Sequence, residues 1–244
     1  MTYTIEIATD NYLSTAAAID GGANRIEVCS ALSEGGLTPS NGYLFQCRKD
    51  FQVPLFPIIR PRGGDFLYSA EEFEVIKKDV IFCRQHGFEG IVTGFLKPDG
   101  TVDKERMTRV IELAFPMQVT FHRAFDRCRE PMQALEDIID AGCHRLLTSG
   151  QKKTAPAGSQ LIRQLVKAAG NRIIIMPGSG VRAENIAALA RDTDAREFHS
   201  SLRTTIRSKM RYIHPDFSTD PLDYIENSIK PEAVQELFAA LSTA

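Results

Sequence analysis

Eight short β-rich runs, each followed by a stretch with helical period, limit what this chain can fold into more than any other feature. The runs are YTIEIAT, NRIEVC, VPLFPIIR, GIVTG, QVTFHRAFD, HRLLTSG, RIIIMPG and REFHSS. Between them, Ser14 opens an alanine-rich helix closed at Gly21 and Gly22, and Ser69 with Glu72 forms a capping box ahead of AEEFEVIKKDVIFCRQHG. Pro131 takes a first helical position, and Gly87 and Gly142 act as stops. Eight alternations of strand and helix with short connections predict an α/β fold, a TIM-type (β/α)8 barrel spanning residues 1–244 as one domain. Closure removes the exposed edges that the alternative, a doubly wound open sheet, would leave. DGGANRIEV and DAGCHRLLT echo each other, each running from a helix end through glycine and arginine into an apolar strand. Pro57 interrupts the third run, so the regular strand is expected to begin there, because proline cannot donate to a ladder. Arg203 to Pro221 reads as a long loop before a final helix that follows Pro231.

Composition narrows the function classes. Lysine plus arginine number 29 against 31 acidic residues, a net charge of -2 that offers no broad attraction to nucleic acid or to an anionic membrane. Any charge-based function is local. No run is apolar for long enough to span a bilayer, and MTYTIEIATD has neither the basic region nor the apolar core of a signal peptide, so a cytoplasmic protein is expected. The 5 cysteines have no paired spacing and read as free thiols, mostly small core residues.

In a barrel the chemistry collects where strands end and the next loops begin. Glu6 and Glu27 lie between apolar neighbours, which by period 2 sends them to the barrel interior, where each needs a cationic partner. Arg60, on the neighbouring third strand, is the expected one. Arg62 and Asp65 lie beyond that strand, and Gly63 and Gly64 free the backbone for close approach to a ligand. In TFHRAFD, His122 and Arg123 are expected on opposite faces, with Asp126 returned by a short turn. After the seventh run, Gly178, Ser179 and Gly180, and after the eighth His199 and Ser200, occupy positions from which backbone amides and hydroxyls hold phosphate. The chain has no CxxC, HxxxH or HExxH, which argues against a preformed zinc site. A soft monovalent copper site needs only two or three sulfur or imidazole ligands, and Cys29 is the thiol expected nearest His122 or His199.

The stretches ANRIEVCSALSEGGLTPS, PIIRPRGGDFLYS, VTFHRAFD, LLTSGQ, PGSGVRAEN and EFHSS, in this order, closely resemble the CutC family. That resemblance implies a cytosolic TIM-type barrel, a homodimer, and a role in copper homeostasis with copper ion as a bound partner. It points to Glu27, Cys29, Arg60, Arg62, Asp65, His122, Arg123, Asp126 and His199 as residues of interest. The residues themselves support a different reading: an enzyme of lyase or isomerase type acting on a small anionic or phosphorylated metabolite. There Arg60 and Arg62 grip the anion, and Glu27, His122 and Asp126 serve the catalysis. Lys152 and Lys153 sit beyond their strand as solvated lysines rather than Schiff-base formers. A non-catalytic scaffold with a dimer surface is the third possibility.

Overall fold

The computed structural model describes residues 2–217 and 224–242. Its parallel strands are β1 (Thr4–Thr9), β2 (Arg25–Val28), β3 (Leu55–Pro57), β4 (Gly90–Thr93), β5 (Gln118–Phe121), β6 (Arg145–Thr148), β7 (Ile174–Pro177) and β8 (Glu197–Ser200). The helices are α1 (Tyr12–Asp20), α2 (Asn41–Asp50), α3 (Ala70–Gln85), α4 (Lys104–Ala114), α5 (Pro131–Ala141), α6 (Ser159–Ala169), α7 (Ala183–Thr193) and α8 (Pro231–Leu241). Hydrogen-bonded ladders run in the orders β3-β2-β1-β8 and β4-β5-β6-β7. The two sheets meet through the parallel bridge between Ile58 and Val92, where the Ile59 N–H donates to the Val92 carbonyl at 2.7 Å. On the far side β7 runs into β8, with Gly178 so close that a Cβ there would lie 3.2 Å from the His199 Cβ. The result is the expected α/β barrel rather than an open sheet.

Local sequence accounts for most boundaries. Ser69 and Glu72 make the capping box of α3, Pro131 is the first residue of α5, and Gly142 ends α5 in the left-handed conformation at φ 96°. The first helix starts earlier than Ser14, because Asn11 is its N-cap and accepts from the Ser14 N–H at 2.8 Å. The third strand also starts earlier than Pro57: Leu55, Phe56 and Pro57 pair with Ile26, Glu27 and Val28. Proline is tolerated because its amide position, like that of Ile59, faces β4, where the ladder shrinks to the single Ile58–Val92 bridge. The fifth run leaves extended structure after Phe121 and enters a 3-10 turn over Arg123–Arg127. The expected loop from Arg203 contains a strand, β9 (Thr204–Arg207), paired antiparallel with β10 (Ile225–Ser228), and residues 218–221 of it lie outside the described residues. The helix after Pro231 is α8.

Outward strand residues such as Ile5, Ile7, Val28, Ile91, Phe121, Leu146 and Phe198 pack against the helices in the main core. The five cysteines are free and buried. Among the described residues, no helix is long and apolar enough to cross a membrane. Inside the barrel the apolar cluster is small, Ala8, Cys29, Phe56, Ile58 and Val92, and the remaining volume holds charge.

The Phe56 ring fits only because residue 90 is glycine, since a Cβ there would lie 2.4 Å from the ring edge. The guanidinium of Arg25 sits 5.1 Å from the Phe56 ring centre and that of Arg145 sits 5.6 Å away, so the ring has little freedom to yield. Gly90→Ala should cost about 1–3 kcal/mol in urea unfolding. The double variant Gly90→Ala/Phe56→Leu should cost less than the sum of its parts; strict additivity would show that the contact does not constrain the barrel.

Candidate active site at the barrel mouth

Register, not proximity in sequence, assembles the interior. Glu6 on β1 pairs in register with Arg25 on β2 and with His199 on β8, so these three side chains form one inward row. Arg25 donates from Nε to Glu6 Oε2 at 2.5 Å and from Nη2 to Glu197 Oε2 at 2.7 Å. Arg145 reaches the same Glu197 oxygen at 2.7 Å. On the other side of Glu6, His199 Nδ1 bonds to Oε1 at 2.7 Å, and His199 Nε2 lies 3.7 Å from Glu27 Oε2. A file of alternating charge therefore runs from Arg145 at the barrel floor to Glu27 at the mouth.

This arrangement corrects one expectation. The cation on Glu6 is Arg25, two residues before Glu27 on the same strand and hence on the same face, and not Arg60, while Glu27 meets His199 Nε2 at 3.7 Å. Arg60 donates instead to the carbonyls of Glu34 at 2.7 Å, Gly36 at 3.0 Å and Gly64 at 3.0 Å. Register sets Phe56 beside Glu27, so Arg60 lies past the end of β3 and further toward the mouth than the Glu6 row, and the loop that follows β2 folds back over its guanidinium.

Protonation follows from position along the file. Burial works to raise the Glu6 pKa, but the Arg25 charge and the His199 hydrogen bond outweigh it and hold the carboxyl at about 2. Burial works to lower His199, yet its bond to Glu6 and the nearby Glu27 charge raise it, so the imidazolium is favoured. Glu27 has no such direct partner, and burial pushes it up to about 7 despite the pull of His199. It is therefore the proton-exchanging group of the file near neutral pH.

Glu27 opens into a cavity of about 420 Å³ in the barrel mouth, lined by five arginines (Arg60, Arg123, Arg127, Arg182 and Arg203) and three carboxylates (Glu27, Glu34 and Asp126). His122 and His199 both line it, so the fifth and eighth strands converge with the second as expected. Arg123 lies on the same side as His122 and not opposite, because the 3-10 turn breaks the two-residue alternation after Phe121. Asp126 is fully engaged: it accepts from Thr148 Oγ1 at 2.6 Å, Ser149 Oγ at 2.8 Å, Arg123 Nε at 2.7 Å and the amides of Ser149 and Gln151. That makes it a brace joining the loops after β5 and β6, with no lone pair spare for catalysis. Arg62 and Asp65 do not line the cavity; Arg62 pairs with Glu72 at 2.6 Å and Asp65 at 3.0 Å, fastening the loop after β3 to the start of α3.

The loops after β7 and β8 meet at the cavity. Ser179, at φ 79°, and Gly180, at φ 70°, form its rim, and Ser200 Oγ donates to the Val181 carbonyl at 2.8 Å while receiving Arg182 Nη1 at 3.2 Å. Gly178 stands behind them, its amide given to the Thr148 carbonyl in the ladder. Gly178 is needed for packing, since a Cβ would come within 2.4 Å of Leu147.

Cys29 does not fit a copper ligand. Its side chain is 0% exposed, packs with Ala8, Phe56, Ile58 and Val92 under Leu32 and Gly36 of the loop after β2, and does not line the cavity. Burial and the neighbouring Glu27 carboxylate push its thiol pKa well up, opposing the thiolate that copper(I) needs. Among the described residues, no group of three or more His, Cys, Asp or Glu is placed to hold a metal ion.

The sequence profile of the CutC family matches residues 3–204. The chain belongs to the CutC family. A CutC family protein of Chromobacterium violaceum is 52% identical over 208 residues, covering 85% of this chain and 84% of its own. One from Xanthomonas campestris pv. campestris is 45% identical over 240 residues, covering 98% and 99%. The solved structure presented as the copper homeostasis protein CutC of Streptococcus agalactiae matches with a TM-score of 0.78 at 26% identity, over 82% of this chain and 99% of its own. N-(5'-phosphoribosyl)anthranilate isomerase from Pyrococcus furiosus matches at a TM-score of 0.57 and 11% identity over 99% of this chain and 100% of its own, a likeness of fold alone. Within the CutC-family barrel, the residues of the charge file and cavity that sequence reasoning does not single out are Arg25, Arg145 and Glu197 inside and Arg127, Arg182 and Arg203 at the rim. The signal for the first group was present: Arg25 with Glu27 and Glu197 with His199 are spaced by two, so each pair shares a face.

Two outcomes follow. Arg25→Met strips Glu6 and Glu197 of their shared cation and should lower stability by about 3–5 kcal/mol in denaturant titration; a cost within error would mean that the file is not what stabilises the interior. For Glu27 the folded carboxyl, at about 7, keeps a proton that the unfolded group, at 4.5, has lost. Stability contributed there falls as pH rises through that window. Glu27→Gln should therefore match the wild type in acid and exceed it by roughly 3 kcal/mol at alkaline pH; parallel stability curves across the range would contradict the assignment.

Proposed function

We propose that the mouth of this barrel is an acid–base active site for a small anionic, phosphorylated metabolite, with proton transfer of the isomerase or lyase kind. The observation that supports it is a buried carboxylate, Glu27, that meets a cationic partner only at 3.7 Å, in His199, and faces a cavity ringed by five arginines. Asp126 is paired with Arg123 and Glu34 offsets one further charge, so the five arginines remain in excess and the balance favours an anion. Arg182, Arg203, Ser200 and the Ser179–Gly180 turn would hold the phosphate, at the rim after β7 and β8. Glu27 would take a proton from the substrate and return it, with His199 at 3.7 Å steadying the carboxylate form.

The description of the Streptococcus agalactiae relative favours a second reading, a part in copper homeostasis. Direct capture of copper at Cys29 draws no support from the thiol's burial, and arginines in the mouth repel a cation. A connection to copper that runs through an anionic metabolite or complex is compatible with the site.

Thermal unfolding in the presence of a panel of phosphate esters tests the first reading. A ligand at a hundredfold excess over its Kd should stabilise by about 2.7 kcal/mol. Arg203→Ala and Arg182→Ala should reduce that shift while leaving the ligand-free Tm near the wild-type value. A panel without any shift would remove the proposal. Titration of reduced protein with copper(I) against a competing chelator tests the second: Cys29→Ala is expected to leave the apparent affinity unchanged, and a tenfold loss would restore Cys29 as a ligand.

A further inference from the structure

Four buried side-chain polar atoms among the described residues have no hydrogen-bond partner, and two of them, Arg60 Nε and His122 Nε2, belong to side chains that line the mouth. Such atoms are costly to leave unsatisfied, so two on one wall call for an account. His122 is 4% exposed and Arg60 is 3% exposed. The His122 Nδ1 accepts the Ala124 N–H at 3.3 Å, so in the neutral ring the proton sits on Nε2, which becomes a donor. Burial and then the Arg60 charge push the His122 pKa down to about 3, so the ring is neutral at physiological pH and cannot act there as a general acid or base of ordinary strength. The position is built for it: a Cβ on residue 94 would lie 2.6 Å from Nδ1, so Gly94 makes the room in which the ring sits.

Both orphaned groups lie under the same side chain. The Phe66 ring centre is 4.8 Å from that of His122 and 5.0 Å from the Arg60 guanidinium carbon. An aromatic face is a weak partner for an N–H, well short of an oxygen. Phe66 itself lines the cavity, at the end of the loop that carries Gly63 and Gly64.

Resting on the phosphorylated-metabolite reading above, we infer that His122 Nε2 and Arg60 Nε form a subsite for a carbonyl or carboxylate oxygen of the substrate, exposed as Phe66 yields, and that the reaction is proton transfer at the carbon next to that carbonyl. The step balances without a redox partner. The C–H bond breaks, its proton goes to the Glu27 carboxylate, and its electron pair forms the C=C of an enolate as the carbonyl π pair moves onto oxygen. That oxygen receives the N–H of His122, a neutral donor whose own proton stays in place. Where that carbon bears a hydroxyl, the enolate is an enediolate: the hydroxyl proton passes to the former carbonyl oxygen, the C=C pair takes the proton back from Glu27 at the former carbonyl carbon, and the carbon that lost its proton becomes the new carbonyl, which completes an isomerisation.

Matched probes separate this inference from the reading beneath it. Calorimetric Kd values would be compared for 2-phosphoglycolate against ethyl phosphate, and for 3-phosphoglycerate against glycerol 1-phosphate, with inorganic phosphate as the base case. In at least one pair, the compound bearing the planar oxygens should bind about tenfold tighter, the size of one hydrogen bond to a buried donor. His122→Phe should abolish that preference and keep the affinity for ethyl phosphate, and His122→Gln, which retains an N–H, should recover part of it. On the wild-type protein, 15N resonances of His122 should report a neutral ring protonated on Nε2 and move with the carboxylate probes alone. Phosphate binding with equal affinities in both pairs and an unmoved His122 would overturn the oxygen subsite while sparing the anion site. Failure of all phosphates, inorganic phosphate included, would overturn both.

Discussion

One constraint governs this barrel: charge placed on its axis must be neutralised within the barrel. The row Arg25–Glu6–His199 is set by the register of β2, β1 and β8, and no solvent reaches Glu6, which is 0% exposed. Each carboxylate in such surroundings must have a cation in contact or take up a proton. Glu6 and Glu197 have theirs at hydrogen-bond distance. Glu27, one step higher, has only the far nitrogen of an imidazole already committed to Glu6. Its shifted titration is thus the remainder left when the file below it is balanced, and the electrostatics of the mouth originate in the packing of the floor.

The mouth itself divides into satisfied and unsatisfied groups. Asp126, Arg62 and Asp65 are polar, close to the cavity in sequence, and fully engaged in fastening loops to one another. Glu27, His122 and Arg60 retain capacity that the protein does not use. This division separates residues that build the site from those available to a ligand more sharply than their chemical types do. It also bears on copper: the free capacity consists of N–H donors and one carboxylate, while the thiol is packed among Ala8, Phe56, Ile58 and Val92. That donor set suits an oxygen-rich anion better than a soft cation.

Much of the fold was legible because its signals are local. Alternating apolar patterns, the Ser69–Glu72 box, Pro131 at a helix start and Gly142 at a helix end each act within a few residues. The misreadings arose where a distant partner decides. Pro57 belongs to β3 because β4 does not need its amide, and Thr204–Arg207 becomes a strand because Ile225–Ser228 comes back to pair with it. In the site, the inward direction of Glu6 and Glu27 follows from period 2 alone, as does that of Arg25, which stands at the start of its strand and not at the end where the mouth residues gather. The choice between Arg25 and Arg60 as the partner of Glu6 could not be made that way, since it depends on the pairing register across strands and on which loop closes over Arg60.

By itself, then, the amino-acid sequence determined the alternation of strands and helices, the barrel class, the family, and the set of polar residues carried to one rim, because each of these depends on spacing along the chain. Tertiary structure alone decided which charges meet, that Asp126 is a brace, that Cys29 is sealed from the mouth, and that His122 and Arg60 keep unused donors. Those outcomes depend on distances across the barrel of a few ångströms, and electrostatic and hydrogen-bond energies change over that same range.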